Sequence, residues 1–316
     1  MTAALVFDWL RAGELRIPLP GSGRTLQRWR RLSELTEVDV VAGRLAEAHT
    51  DAVAIVAELG GPAADADQLW GVWAAEAADA VVTARGAGDA LVLDGTKAWC
   101  SGAELCTRAL VTAHLADGRR GLFAVDLRSD AVRPLEKTWR NAGMADSDTR
   151  SVEFTHAPAI PVGQPGDYLS RPGFWFGAIG VSACWLGGAR AVTAPLYQRA
   201  ASGSASDHML AHLGAVDAAI TAAEATLAVA ADHVDKDPRN RSGLAELTAR
   251  RTRAVVERAV DEALARTDRA LGPGPLCLDE RHARAVADLT VYVRQIHAER
   301  DLAALGLLAA VGRADG

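Results

Sequence analysis

The chain is poor in lysine: Lys97, Lys137 and Lys236 are the only ones in 316 residues, and every other basic residue of its 34 is arginine. Codon composition explains that bias as well as function does, so it carries no functional weight. Cysteine is scarce too. The four, Cys100, Cys106, Cys184 and Cys277, form no C-x-x-C pair and none stands beside a histidine at ligand spacing, which excludes a disulfide framework and a cysteine-based metal site. No run of about 18 uninterrupted apolar residues occurs, and the N-terminus lacks a basic segment followed by an apolar core and a small-residue cleavage site. These absences read as a soluble, cytoplasmic protein with reduced thiols. Charge of one sign is also missing: the formal net of -6 is too near balance for a nucleic-acid or anionic-membrane partner. A small-molecule ligand is what remains, with no metal expected.

What is present is length and apolar content. At 316 residues and 49% hydrophobic, the chain can bury a large core in several layers. Between Thr25 and Leu59 the apolar residues Leu32, Leu35, Val38, Val41, Leu45, Val53 and Val56 recur at helical spacing, predicting two helices broken near Thr36 to Asp39. Gly60 to Pro62 stop the second. From Leu69 to about Ile160 the pattern changes to short β-branched or alternating runs: Ala80 to Thr83, Ala90 to Leu93, Ala109 to Ala113, Gly121 to Asp126 and Ser151 to Phe154. Turn signals roughly every ten residues predict an antiparallel sheet or barrel. From Gly173 on, Ala-rich amphipathic stretches at Phe174 to Ala200, His208 to Val234, Gly243 to Leu271 and Asp279 to Val311 predict four helices in an up-and-down bundle. The fold class is therefore α+β, with a short N-terminal helical domain (residues 1–68), a middle β domain (69–167) and a C-terminal four-helix bundle (168–316).

Five collinear segments sharpen this order. They are LVLDGTKAWCSG (Leu91 to Gly102), GMADSDT (Gly143 to Thr149) followed by a strand, YLSRPGFWFGAIGVSA (Tyr168 to Ala183), YQRAASG (Tyr197 to Gly203) and ALGPGP (Ala270 to Pro275). Together they resemble the acyl-CoA dehydrogenase superfamily: its Trp-Ile-Thr strand end, its Gly-Met-Arg-x-Ser-x-Thr segment, the start of its first bundle helix, that helix's Arg-x-x-Phe-Gly exit and its Gly-Gly-x-Gly turn.

The resemblance implies FAD as cofactor, with the Ser101 hydroxyl at flavin N5, Trp99 beside the isoalloxazine ring, Arg199 reaching the pyrophosphate across a subunit contact, and Gly272 and Gly274 approaching a neighbouring subunit's cofactor. Such chemistry suits these residue types, since a hydroxyl can bond N5 in either redox state and an indole excludes water. Trp99 as a core aromatic, Ser101 as a turn residue, Arg199 as a solvated helix end and the glycines as a helix stop are the alternatives. The family also implies a homodimer or homotetramer, with a heteromeric partner as a further alternative.

Three departures bear on chemistry. The family's hydroxyl-bearing Leu-Thr-Glu-Pro-x-x-Gly-Ser-Asp loop is matched only by WAAEAAD (Trp73 to Asp79), so Ala75 would serve the flavin through its backbone. The helix expected between Ala57 to Gly60 and the β domain is absent, which disfavours a long acyl chain. The family's proton-abstracting Glu has no counterpart after Arg281. Asp288 stands near its place, and Arg294, His297 and Asp301 at helical spacing would share one broad face. A salt-bridged surface is the alternative reading of that face, and His49 on the second helix reads as structural. The reaction implied is oxidation of an acyl thioester or a related small substrate by a flavin. The alternatives are a flavin monooxygenase on the same fold, which needs no such base, and a non-catalytic subunit that completes a partner's flavin site.

Overall fold

The computed structural model describes residues 2–86 and 88–314 and divides into two compact units. The first comprises Met1–Ile17, Arg44–Asn141 and Ala145–Phe174; the second Pro18–Gly43, Ala142–Met144 and Trp175–Gly316. The elements in chain order are α1 (Thr2–Arg11), α2 (Thr25–Val38), α3 (Val40–Leu59), β1 (Trp70–Trp73), β2 (Val82–Arg85), β3 (Val92–Cys100), β4 (Arg108–His114), β5 (Arg120–Asp126), β6 (Val132–Pro134), β7 (Arg150–Pro161), α4 (Asp167–Ser170), α5 (Pro172–Ala201), α6 (Asp207–Lys236), α7 (Ala245–Leu271), α8 (Pro273–Leu278), α9 (Glu280–Tyr292) and α10 (Ala298–Ala314). The α+β class, with helices before and after a central sheet, is as the sequence predicted.

In the first unit the strands pair in the order β4-β2-β3-β7-β5, and β5 returns to pair with β4, so the sheet closes on itself. Most pairings are antiparallel, but β1 and β2 each run parallel to β4. β1 and the three-residue β6 were missed in the sequence because each is too short to show alternation. The alternating pattern buries Leu93, Ala109, Val111, Phe123, Val125, Val152 and Phe154 in one cluster with Trp73. Leu110, Leu122 and Ala124, one step out of phase, instead meet Trp70 and the α3 residues Ala52 and Ile55, as the two-residue period of a strand demands. Residues 60–69 contain no helix.

In the second unit α6 and α7 form the long antiparallel pair. Ser206 caps α6 by accepting the Met209 N–H at 3.3 Å. Near the other end of α6, Asp235 accepts from the Gly23 and Thr25 N–H groups and from the Thr25 hydroxyl, fixing the start of α2. The break between α2 and α3 falls at Asp39, whose carboxylate accepts the Ala42 N–H at 2.7 Å. Trp185 on α5 is fully buried, edge to face with Tyr292 and beneath the Arg253 guanidinium at 4.6 Å.

The predicted fourth bundle helix, Asp279 to Val311, is not continuous. It is α9, a 3-10 turn at Val293–Gln295, an extended Ile296 and then α10. Val293 and Ile296, on either side of the departure from the α-helix, are both buried. The Asp301 carboxylate then accepts the His297 N–H at 3.0 Å and starts the new helix.

Candidate functional site

The last residues of β3 depart from strand geometry. The β3–β7 register shifts between Lys97 and Cys100, and Trp99 takes φ +60, a left-handed conformation that a bulky residue adopts only under constraint. Cys100 turns into the core, while Trp99 is left 62% exposed, an unusual position for the largest side chain. Trp139 meets it edge to face, perpendicular at 6.4 Å.

Ser101 follows at the edge of the barrel. Its carbonyl accepts from Trp73 Nε1 at 3.0 Å, and its hydroxyl lies 2.9 Å from that of Thr149, which lies 2.7 Å from the hydroxyl of Ser147. Gly102 has φ +72, and a Cβ there would come within 2.7 Å of Cys106 Sγ. Its N–H donates to the Ser147 carbonyl at 2.7 Å, and Ala103 N–H donates to that of Asp148 at 3.1 Å. The end of β3 and the GMADSDT segment are thus pinned together by backbone hydrogen bonds.

The Trp73 to Asp79 loop is held from below by a buried charge. Lys97 is 1% exposed and its ammonium donates to Glu76 Oε1 at 2.9 Å and to the Thr112 hydroxyl at 2.8 Å. Glu76 also accepts from Thr112 at 3.0 Å, meets His114 Nε2 at 3.1 Å and has the Arg120 guanidinium at 3.5 Å. Burial alone would raise the Glu76 pKa, but the Lys97 hydrogen bond and charge, with His114 and Thr112, hold it down to about 2. Beside this anchor Ala75 is exposed, and its backbone N–H has no hydrogen-bond partner among the described residues. Sequence reasoning did not find this network. The available signal was Lys97 itself, one of the three lysines in the sequence.

In the second unit the residues named as substitutes for a base do not converge. Asp288 is buried on α9 and accepts the Met144 N–H at 2.5 Å, with Arg284 at 3.6 Å. A Cβ on Gly143 would sit 2.1 Å from the Ala287 carbonyl oxygen, so the Gly-Met pair lies flat on this helix because glycine allows it. Arg294 bonds Glu257 and Asp261 at 3.3 and 2.5 Å. His297 is exposed and engages Asp301, which also binds Arg250 at 3.1 Å. Arg294, His297 and Asp301 do not lie on one continuous helix, because the chain leaves the α-helix at Val293–Gln295. His49 is buried and accepts the Trp70 N–H at Nδ1.

Arg199 lies exposed in the last turn of α5, its guanidinium without hydrogen bond or ion pair among the described residues. Gly272 ends α7 with φ +67 and Gly274 lies in α8, both facing open space.

No family model and no curated protein matches the sequence. Solved structures do match. Dibenzothiophene monooxygenase (TdsC) from Paenibacillus sp. A11-2 superposes with a TM-score of 0.75 at 20% identity, over 96% of this chain and 94% of that one. Methanesulfinate monooxygenase MsuC from Pseudomonas fluorescens gives 0.77 at 17%, over 98% and 95%. Nitrososynthase from Micromonospora carbonacea var. africana gives 0.78 at 16%, over 96% and 88%. The chain has the acyl-CoA dehydrogenase-type fold.

On this acyl-CoA dehydrogenase-type fold, the resemblance read from the five segments and the three-dimensional similarity agree, although no sequence comparison registers it. Among the described residues no group of three His, Cys, Asp or Glu side chains could hold a metal ion. Among the described residues of the first unit, the groups left open are the Ser101 hydroxyl, the Trp99 indole and the Ala75 N–H, which suit an organic molecule with a flat ring and polar edges.

Proposed function

We propose that this protein is a flavin-dependent oxidoreductase acting on a small molecule, and that it is a monooxygenase rather than an acyl-thioester dehydrogenase. The observation that carries the flavin reading is the end of β3, where an exposed Trp99 in a strained conformation adjoins the half-buried Ser101 hydroxyl. An exposed indole held at φ +60 is costly unless something flat covers it. TdsC has been solved with FMN and indole, and KijD3, which has the same fold, with FMN and a dTDP-sugar, which supports the reading.

Flavin would supply the redox chemistry, either taking up a hydride or, once reduced, reacting with oxygen. The protein's own groups do the rest. The Ser101 hydroxyl would bond N5, Trp99 would shield the ring from water, and the Ala75 N–H would donate to the polar ring edge, on a loop that the Lys97–Glu76 pair keeps in place. Arg199, without a partner among the described residues, would be available to a pyrophosphate, the role that the family resemblance implies for it and the reason FAD is preferred to FMN. The choice of monooxygenase rests on the carboxylates. Removing a proton next to a carbonyl needs a carboxylate free to accept it, and Asp288 and Asp301 are both committed to backbone N–H groups. We place the protein in the cytoplasm as a homo-oligomer.

The visible spectrum of the purified protein tests the cofactor, and the mass of the released compound distinguishes FAD from FMN. We expect a flavin band, oxygen uptake when reduced flavin is supplied, and no bleaching by acyl-CoA under anaerobic conditions. Bleaching would restore the dehydrogenase reading. A colourless protein that takes up neither flavin would leave only the non-catalytic subunit.

A further inference from the structure

Three hydroxyls line up behind the candidate flavin contact: Ser147 to Thr149 at 2.7 Å, and Thr149 to Ser101 at 2.9 Å. Each carries one proton, so the direction of one hydrogen bond fixes the others. Ser147 is 1% exposed, and its hydroxyl has no partner other than Thr149 among the described residues. If the protons run from Ser147 through Thr149 to Ser101, every buried proton is bonded and the Ser101 proton points outward. If they run the other way, the Ser147 proton is stranded in the interior, which buried donors strongly disfavour. The backbone clamps from Gly102 to Ser147 and from Ala103 to Asp148 hold the two segments in the register that this chain of bonds requires.

We propose that Thr149, backed by Ser147, is a positioning residue that polarises Ser101 as an outward hydrogen-bond donor. This rests on the flavin reading above and deepens it. A hydroxyl that accepts from one neighbour becomes a stronger donor to the next, and oxidised flavin offers an acceptor at N5 whereas reduced flavin offers N5–H. The relay therefore stabilises the oxidised form and lowers the midpoint potential of the bound cofactor. Thr149 needs no contact with the flavin to do this, because it acts through Ser101.

The test is equilibrium reduction of the holoprotein against a redox dye of known potential, comparing wild type with Ser101→Ala, Thr149→Val, Thr149→Ser and Ser147→Ala. Ser101→Ala should raise the potential so that the oxidised-to-reduced ratio falls about tenfold at fixed dye potential, which is about 30 mV for a two-electron couple. Thr149→Val should shift it the same way by a smaller factor, and Thr149→Ser should restore the wild-type value. If Thr149→Val loses its flavin, Ser147→Ala reports on the same relay, with a smaller shift of the same sign. A shift in Ser101→Ala with none in the Thr149 and Ser147 variants overturns the relay and leaves the N5 contact intact. A bound flavin whose potential ignores Ser101→Ala overturns the relay and the N5 contact together. A wild type that binds no flavin removes the functional reading itself.

Discussion

The end of β3 and the stretch from Asp288 to Asp301 were both singled out from sequence as sites of chemistry, and their structures differ in kind. At β3 the backbone is distorted, an indole is exposed, hydroxyls are chained together and an N–H nearby is free. From Asp288 to Asp301 every polar group named has found a partner: a backbone N–H for Asp288, two carboxylates for Arg294, and Asp301 for His297. Strain and unmet hydrogen bonds persist where a ligand would use them, whereas saturated salt bridges hold a fold together. The contrast predicts opposite responses to mutation, and the variants below are ordered by the size of the effect.

The largest effect tests the anchor beneath the Trp73 to Asp79 loop. Glu76→Ala leaves the Lys97 ammonium buried without its counter-charge and should cost about 3–5 kcal/mol in urea unfolding, the usual penalty for breaking a buried pair from one side. Lys97→Met should cost clearly less, because it buries no charge and Glu76 is a third exposed. Equal costs would show that the pair is no buried anchor.

His49 comes next. Burial holds its pKa down to about 4 from an ordinary 6.5, so the folded state keeps the ring neutral as acceptor for Trp70 while the unfolded chain takes a proton near 6.5. Its contribution is complete above pH 6.5 and is lost as the pH falls toward 4, up to about 3 kcal/mol from two and a half pKa units. Stability followed by denaturation from pH 7 to 4 should decline over that window, and His49→Gln should flatten the decline. An unchanged slope in the variant would assign it to other groups.

Asp288→Ala sharpens the comparison directly. As an anchor, Asp288 should cost about 1–3 kcal/mol when removed, the penalty for stranding the buried Met144 N–H, and turnover by the folded fraction should be kept. As a proton acceptor it would instead take turnover down about 100-fold or more.

These contrasts also explain what could be read in advance. The Trp99–Ser101 segment stood out because the resemblance rests there on residues adjacent in sequence, and the barrel because alternation exposes a strand's two faces. The helix carrying Arg294, His297 and Asp301 was read as continuous because no glycine or proline marks the break. Neither the 3-10 turn at Val293–Gln295 nor the extended Ile296 has a local sequence signal. The Glu76–Lys97–Thr112 network was missed for a related reason, since it joins a loop and two strands 15 to 36 residues apart in sequence. α1 escaped notice because only Val6 and Leu10 mark its buried apolar face.

The smallest stability effect is the most discriminating for the β3 end. Trp99→Gly relieves a left-handed backbone strain of about 1–3 kcal/mol and forfeits an edge-to-face contact with Trp139 of about 0.5–1.5 kcal/mol, so the two nearly offset. Net stability should move by no more than about 1–2 kcal/mol in either direction, while flavin retention through gel filtration should fall. Were Trp99 a core aromatic instead, truncation would cost about 3–5 kcal/mol and flavin loss would simply follow unfolding. A variant as stable as wild type that no longer holds flavin is the outcome that separates a cofactor-facing indole from a structural one.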